Sequence, residues 1–439
     1  MMPRSDSTFP LSLCGPALLL WASLLLSAAV AAETLPQAIR QTLAQHPDIR
    51  SGEALLNVTA ERLQQARSNY YPTLGLDGAA SDAKDRDAGL PEDRTTRRAD
   101  VFLRWNLFRG LGDRQGERTA EFDQSAADAD LEAAREQVAL QVVQTYLEVL
   151  RLRRLLALSD EFIGEQQKLG DDVRKRVHAG RLALADHEQM RASLIQAKLQ
   201  QTQWRGSLRG AEARYRLLVG VAPGELSEPV MDDVAASLEL DELMQQALAG
   251  NRRVHGALQR AAARGEEVGI ASAALYPSFD LELRKRLYSE IVPTPQTETR
   301  HSAQISFNYQ MPLGGSSFSR QREAVQRKLA ALAAADTELL QARSEIAQGW
   351  STWREARDMA PQLAERVEAS DKVVKAYDLQ FEAARRSIND LLAVRSERYR
   401  ARVDLLENRM GQLASSAQML ALLGRLRESV LSAAARSGG

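Results

Sequence analysis

The sequence predicts a mostly α-helical chain with a small β part, assembled from two copies of one pattern. Three observations predict it. Gln115–His178 contains no proline and carries Val138, Val142, Val143, Tyr146, Leu147 and Leu150 within a broad apolar surface, so a long helix is expected there. "NYYPTLGLDG" at Asn69–Gly78 and "ALYPSFDLEL" at Ala274–Leu283 each set Tyr-Pro ahead of alternating apolar and polar residues, the mark of a strand. The chain also repeats. At an offset of 205, Leu35 meets Leu240, Glu61 meets Glu266, and Tyr71-Pro72 meets Tyr276-Pro277. At an offset of 204, Gly110 meets Gly314, Arg181 meets Arg385, Asp186 meets Asp390, and Gly220 meets Gly424.

The elements follow in order. Residues 1–32 read as a secretory signal: Arg4, an apolar run over Ala17–Val30, and small residues at Ala29–Ala32 for cleavage. Cys14 is the sole cysteine, and bulky Leu13 before it argues against a lipid-bearing N-terminus. The two repeats are expected to occupy 33–239 and 240–439. Each opens with a helix, roughly Leu35–Asn69 and Leu240–Ala274, and continues into a strand pair at about 71–109 and 276–313.

In the second pair, Ala303, Ile305, Phe307, Tyr309, Met311 and Leu313 share one face and Gln304, Ser306, Asn308 and Gln310 the other. Phe279, Leu281 and Leu283 likewise alternate with Asp280, Glu282 and Arg284. In the first pair, Val101, Leu103, Trp105 and Leu107 alternate with Phe102, Arg104, Asn106 and Phe108, and Leu74 and Leu76 with Gly75 and Asp77. Charged stretches at Ser81–Asp100 and Tyr288–His301 are expected to be loops.

Strands of about 10 residues have the length that crosses an outer membrane at a tilt. Alternation alone fits a soluble hairpin equally well; the export signal and the helical surroundings favour a barrel. The apolar row, including Leu103, Trp105, Phe279, Leu281, Ile305, Phe307 and Tyr309, then faces lipid and the polar row a wet lumen. Four strands cannot close a barrel, and an open edge in lipid leaves backbone groups unpaired, so oligomerisation is required. Two copies give eight strands, a barrel filled by side chains; three give twelve, with room for a passage.

After each strand pair come two long helices with short turns. The first turn is "RVHAGRLALAD" at Arg176–Asp186 and the second "QFEAARRSIND" at Gln380–Asp390. Gly180 suits a left-handed helix end and Asp186 a helix first turn, while Ala384 replaces the glycine in the second copy, so a different turn is expected there. The second-half helices are expected over Ser319–Ala384, with Pro361 a kink or packing irregularity, and Ile388–Ser432.

With 44% hydrophobic and 26% charged residues the chain is ordered, and its formal charge of −1 gives no general attraction to nucleic acid. Catalytic signatures are missing. There is no Walker loop, no His-Glu-x-x-His and no paired cysteines, and the five histidines are scattered. "GLGDRQG" at Gly110–Gly116 lacks the dinucleotide fingerprint. No enzyme, cofactor or metal site is expected.

The order of "LPQAIRQTLAQHPDI", "YYP" and "LYP" before the strands, "WNLFRGLGD" and "YQMPLGG" after them, and the two tips resembles the TolC family of outer-membrane efflux and secretion channels over essentially the whole mature chain. The resemblance implies a homotrimer whose twelve-stranded β-barrel continues into a periplasmic α-helical barrel. It implies a periplasmic adaptor and an inner-membrane ABC transporter, or a proton-driven pump, as partners. "TYLEVLRLRRLL" at Thr145–Leu156 and "AGRLALAD" look like members serving type I protein secretion, including adhesin export; small-molecule efflux is the alternative. Adaptor docking is expected at Gly180, Arg181, Leu182, Ala384, Arg385, Arg386 and Ser387. A periplasmic gate is implied at Asp186, Phe381, Arg386 and Asp390, with Arg386 facing Asp186. Phe381 stands where the family carries tyrosine, and helix capping is the alternative role of both aspartates.

Overall fold

The structure, a computed structural model, describes residues 34–85, 92–231, 239–292 and 300–437. The expected signal over 1–32 and the centres of both charged loops lie outside the described residues. The first half contains α1 (Leu35–Gln45), α2 (Pro47–Ser68), β1 (Thr73–Asp85), β2 (Glu92–Arg109), α3 (Gly112–His178) and α4 (Leu184–Val219). The second half repeats the order with α5 (Leu240–Gly250), α6 (Arg252–Ala273), β3 (Ser278–Val292), β4 (His301–Asn308), α7 (Ser316–Glu382) and α8 (Ile388–Leu422), followed by α9 (Leu426–Ser437).

Three boundaries correct the sequence reading. The helix expected over Leu35–Asn69 breaks at His46, because Pro47 has no N–H to donate and holds its predecessor extended. Its counterpart breaks at the matching position, where the Asn251 side chain accepts from the N–H groups of Arg253 and Val254 at 3.0 and 3.2 Å and caps α6. The last long helix stops at Leu422, ahead of a left-handed Gly424, just as α4 stops ahead of a left-handed Gly220.

Helices α3 and α7 each run 67 residues, roughly 100 Å at the α-helical rise. Pro361 lies inside α7 without ending it. Toward the hairpin tips the packing order is α4–α3–α8–α7; beside the sheet it is α2–α3–α6–α7. One edge of this slab is therefore α2 and α4, and the other is α7.

The core is strung along the slab. A large cluster joins α1, α3, α4, α8 and α9 around the fully buried Tyr146 and Tyr215, with the Tyr146 hydroxyl donating to the Ser227 carbonyl at 2.7 Å. A separate cluster closes the tips.

The four strands form one antiparallel sheet in the order β1-β2-β3-β4, so β2–β3 pairing joins the two halves. The strands are 13, 18, 15 and 8 residues long. Much of Ser81–Asp100 and the start of Tyr288–His301, expected to be loop, is strand: backbone pairing of β1 with β2 runs out to Asp85 opposite Glu92, and Arg97 pairs with Glu290 across β2 and β3. The last strand is shorter than its alternation implied. Tyr309, Met311 and Leu313 lie beyond β4, so Tyr309 does not belong to the strand face on which the sequence placed it.

Candidate functional site: an open sheet joined to two helical tips

Register defines the two sheet faces. On one, Leu74, Leu103, Leu283 and Ala303 form a row across all four strands, and Trp105, Leu281 and Ile305 form the next. A register shift beside Leu107 then brings Phe108 level with Phe279 and Phe307. Their ring centroids lie 6.3 and 5.3 Å apart in sequence across the strands. Phe108, which strict alternation put on the polar face, thus extends the apolar one.

The opposite face is charged and paired. Arg104 donates to Glu282 at 2.9 Å and Arg286 to Asp100 at 3.0 Å. Arg284 reaches Glu282, Asp100 and Asp77 at 2.8, 3.2 and 3.3 Å. Phe102 lies in this face with the Arg104 and Arg284 guanidinium groups over its ring, and Gly75 leaves room for that ring on β1. A sheet with one apolar face and one charge-lined face suits lipid on one side and water on the other.

Both sheet edges, β1 and β4, are open. Because α2 enters β1, β2 leads to α3, α6 enters β3 and β4 leads to α7, all the helices leave one end of the sheet. Gly110 makes one exit possible: its φ is +58°, and a Cβ there would collide with the Ala273 carbonyl. That turn accounts for the glycines of "GLGD".

About 100 Å away, the two hairpin tips have the same backbone. The Gly180 N–H donates to the Val177 carbonyl at 2.9 Å and Arg181 N–H to Arg176 at 2.8 Å. Ala384 donates to Phe381 at 3.0 Å and Arg385 to Gln380 at 2.8 Å. Both turns are Schellman motifs. The expected difference at Ala384 is absent: this alanine adopts φ +57° where Gly180 adopts +73°.

Gly180, Arg181, Ala384, Arg385, Arg386 and Ser387 are exposed. Leu182 is not free; it packs on the tip cluster of Leu169, Val173, Met190, Ile388 and Leu391. Phe381 belongs to that cluster and is 4% exposed, with Arg176 over its ring at 4.9 Å. Asp186 accepts from the Ala183 N–H at 3.0 Å. Asp390 accepts from the Ser387 N–H at 3.3 Å while its own N–H donates to the Ser387 hydroxyl at 3.2 Å. Both aspartates cap helices within the chain. Arg386 donates to the Gln380 side chain at 3.0 Å and lies over the Tyr377 ring, with no ion pair to Asp186 in this chain.

Behind the tips lies a feature that sequence reasoning missed. Arg395, Arg398 and Arg402 occupy one face of α8 and join α3 to α7. Arg395 donates to Asp378 at 2.6 Å, Arg398 pairs with Glu165, and Arg402 bridges Glu161 and Asp371 at 2.9 and 3.0 Å. The i, i+3, i+7 spacing was visible in the sequence; the α3 acids, about 230 residues away, were not assignable as partners.

Among the described residues no helix is long and apolar enough to cross a membrane, and no cluster of His, Cys, Asp and Glu could hold a metal ion. Residues 38–221 and 243–425 each match the family described as outer membrane efflux protein. The chain belongs to the outer membrane efflux protein family. It is 28% identical over 335 residues to protein CyaE of Bordetella pertussis, covering 74% of this chain and 69% of that one. It is 22% identical over 420 residues to the outer membrane efflux protein BepC of Brucella suis, covering 94% and 90%.

The fold is similar to that of the outer-membrane channel OprN, with a TM-score of 0.79 at 19% identity over 89% of this chain and 90% of that one. It is also similar to the outer membrane protein VceC of Vibrio cholerae, with a TM-score of 0.77 at 18% identity over 89% and 96%. This outer membrane efflux protein therefore has the duplicated, mostly helical fold of TolC-like channels, with its sheet at the outer membrane and its helices in the periplasm. Family members are homotrimeric channels that work with adaptors and inner-membrane transporters.

Proposed function

We propose that three copies close head to tail into a passive export conduit, with β1 of each copy pairing with β4 of the next. The open-edged sheet with one apolar face is the observation that carries this reading. Pairing β1 with another β1 fails. One such arrangement sends the helices of the two copies to opposite ends, and the other turns the apolar face of one copy inward; cyclic closure keeps both alike.

The slab edges match this closure. Leu55 on α2 and Leu329 on α7 are exposed and each thirteen residues from the sheet end of its helix. Three facing copies therefore bring them to one height, roughly 20 Å from the sheet.

Protein secretion of type I is the cargo class favoured by the sequence at Thr145–Leu156 and the first tip. The exposed tip residues Gly180, Arg181, Ala384, Arg385, Arg386 and Ser387 are proposed to receive the adaptor, with Leu182 supporting them from beneath. Asp186, Arg386 and Asp390 surround the narrow end as a gate, and buried Phe381 anchors it. Small-molecule efflux is the second reading, favoured by the alignment with BepC across most of the chain.

Deleting the gene and comparing the secreted proteome with drug susceptibility separates the two readings. Loss of one large secreted protein with unchanged drug tolerance supports secretion; the reverse result overturns it. In the complemented strain, Arg181→Glu should abolish cross-linking to the adaptor while leaving trimers intact. Unchanged cross-linking would put docking elsewhere.

A further inference from the structure

We propose that the outward sheet face carries a binding site for a phosphate-bearing anionic lipid, headed by Lys285 and His301. This rests on the reading of that face as the lipid-exposed one. Lys285 and His301 are directly opposed across β3 and β4, in the row above Leu283 and Ala303. His301 sets a ring N–H donor beside the Lys285 ammonium at the margin of the apolar band, and a cation in that position needs a counter-charge.

The chain does not supply one. Neither side chain has an ion pair or hydrogen bond with any described residue. The carboxylates of Asp77, Asp100 and Glu282 are engaged by arginines on the opposite face. Glu290, farther along β3, is taken by Arg97 at 3.4 Å and by the Tyr288 hydroxyl at 2.7 Å.

Beneath the basic pair the surface is concave. A shallow groove of about 430 Å³ is lined by Leu74, Val101, Leu103 and Leu283, with Lys285 and His301 at its rim. Apolar walls and a cationic rim select a molecule with an acyl chain and a phosphate, in that order along the membrane normal. A lysine stem can lie along apolar surface while its ammonium reaches toward headgroup depth, so one side chain serves both parts. An inorganic anion would satisfy the rim and leave the groove unused.

Native mass spectrometry of purified protein in neutral detergent tests this, with phosphatidylglycerol as the probe and phosphatidylcholine of the same chains as comparison. Phosphatidylglycerol should be retained preferentially. Lys285→Gln should weaken that retention about fivefold, the effect of roughly one basic residue at an anionic lipid surface, and adding His301→Gln should weaken it further. Ala303→Phe, which fills the groove and leaves both basic groups, should also reduce lipid retention. Wild-type retention in the Lys285→Gln/His301→Gln variant, or equal retention of the two lipids, overturns the site. Full displacement by inorganic phosphate overturns the acyl-chain part and leaves an anion site. Light scattering on the same samples reports trimers separately, so failure of assembly counts against the channel reading and not against the lipid site.

Discussion

At the scale of single residues, Ala384 performs a glycine's task. A left-handed L-residue costs roughly 1–2 kcal/mol; glycine, with no Cβ to clash, avoids this strain, and its freer unfolded chain offsets part of the gain. Ala384→Gly should therefore stabilise the second tip by about 0.5–1 kcal/mol, while Gly180→Ala, with open space around its Cβ position, should destabilise the first by a similar amount. Thermal denaturation and amide exchange at Arg181 and Arg385 check both directions.

Glu136 offers a second residue-level test. It accepts from the Arg427 Nε at 2.9 Å and the Leu426 N–H at 3.2 Å, tying α9 to α3. Burial pushes its carboxyl above the ordinary range, against the pull of Arg427. A carboxyl that holds its proton more tightly folded than unfolded favours folding at low pH. That contribution is lost as pH rises from the ordinary glutamate value of about 4.3 through the raised one. Glu136→Gln should flatten this part of the stability profile above pH 4; an unchanged profile would remove Glu136 as its source.

At the scale of elements, the sheet shows where sequence reading stopped. Period-two alternation located all four strands, yet it ended them at the charged residues, because outside the apolar band both faces are polar. Pairing then continues without a hydrophobic signal, as in Arg97 opposite Glu290. The bulge at Leu107 shifts parity by one and was invisible until its partner strand was known. Likewise the α8 arginines were legible as a stripe, and only packing of α8 against α3 supplied their acids.

The register also sets a depth gradient. Phe307 lies in the row nearest the helices and Ile305 one row deeper. Ile305→Arg should cost about 2–4 kcal/mol toward mid-membrane, Phe307→Arg about 0–1 near the interface, and Gln304→Arg on the charged face little. Folding titrations into liposomes measure the order; equal costs at Ile305 and Gln304 would refute the face assignment.

At the scale of the whole molecule, the proposed head-to-tail closure would turn the equal heights of Leu55 and Leu329 into a contact between copies. With Leu55→Cys and Leu329→Cys in one chain, oxidation should give covalent dimers and a closed trimer on a non-reducing gel, and each single variant should stay unlinked. Linking by either single variant would mean like surfaces meet, against head-to-tail closure. The duplication and the tips were readable in the sequence. The distinction between the α2/α4 edge and the α7 edge was not, since it depends on which helices end up side by side.

The two unlike edges of the sheet carry a genetic consequence. A copy with a sound β1 edge and a spoiled β4 edge still joins a normal neighbour, then stops the ring from closing. Proline at Gln304 or at Ile305 would produce such a copy, because successive backbone N–H groups point to opposite sides of a strand and one of the two must face the edge. Expressed equally with the wild type and mixing at random, it would leave roughly one ring in eight free of defective copies. Edge lesions should therefore be dominant, whereas a variant too unfolded to offer either edge should be recessive.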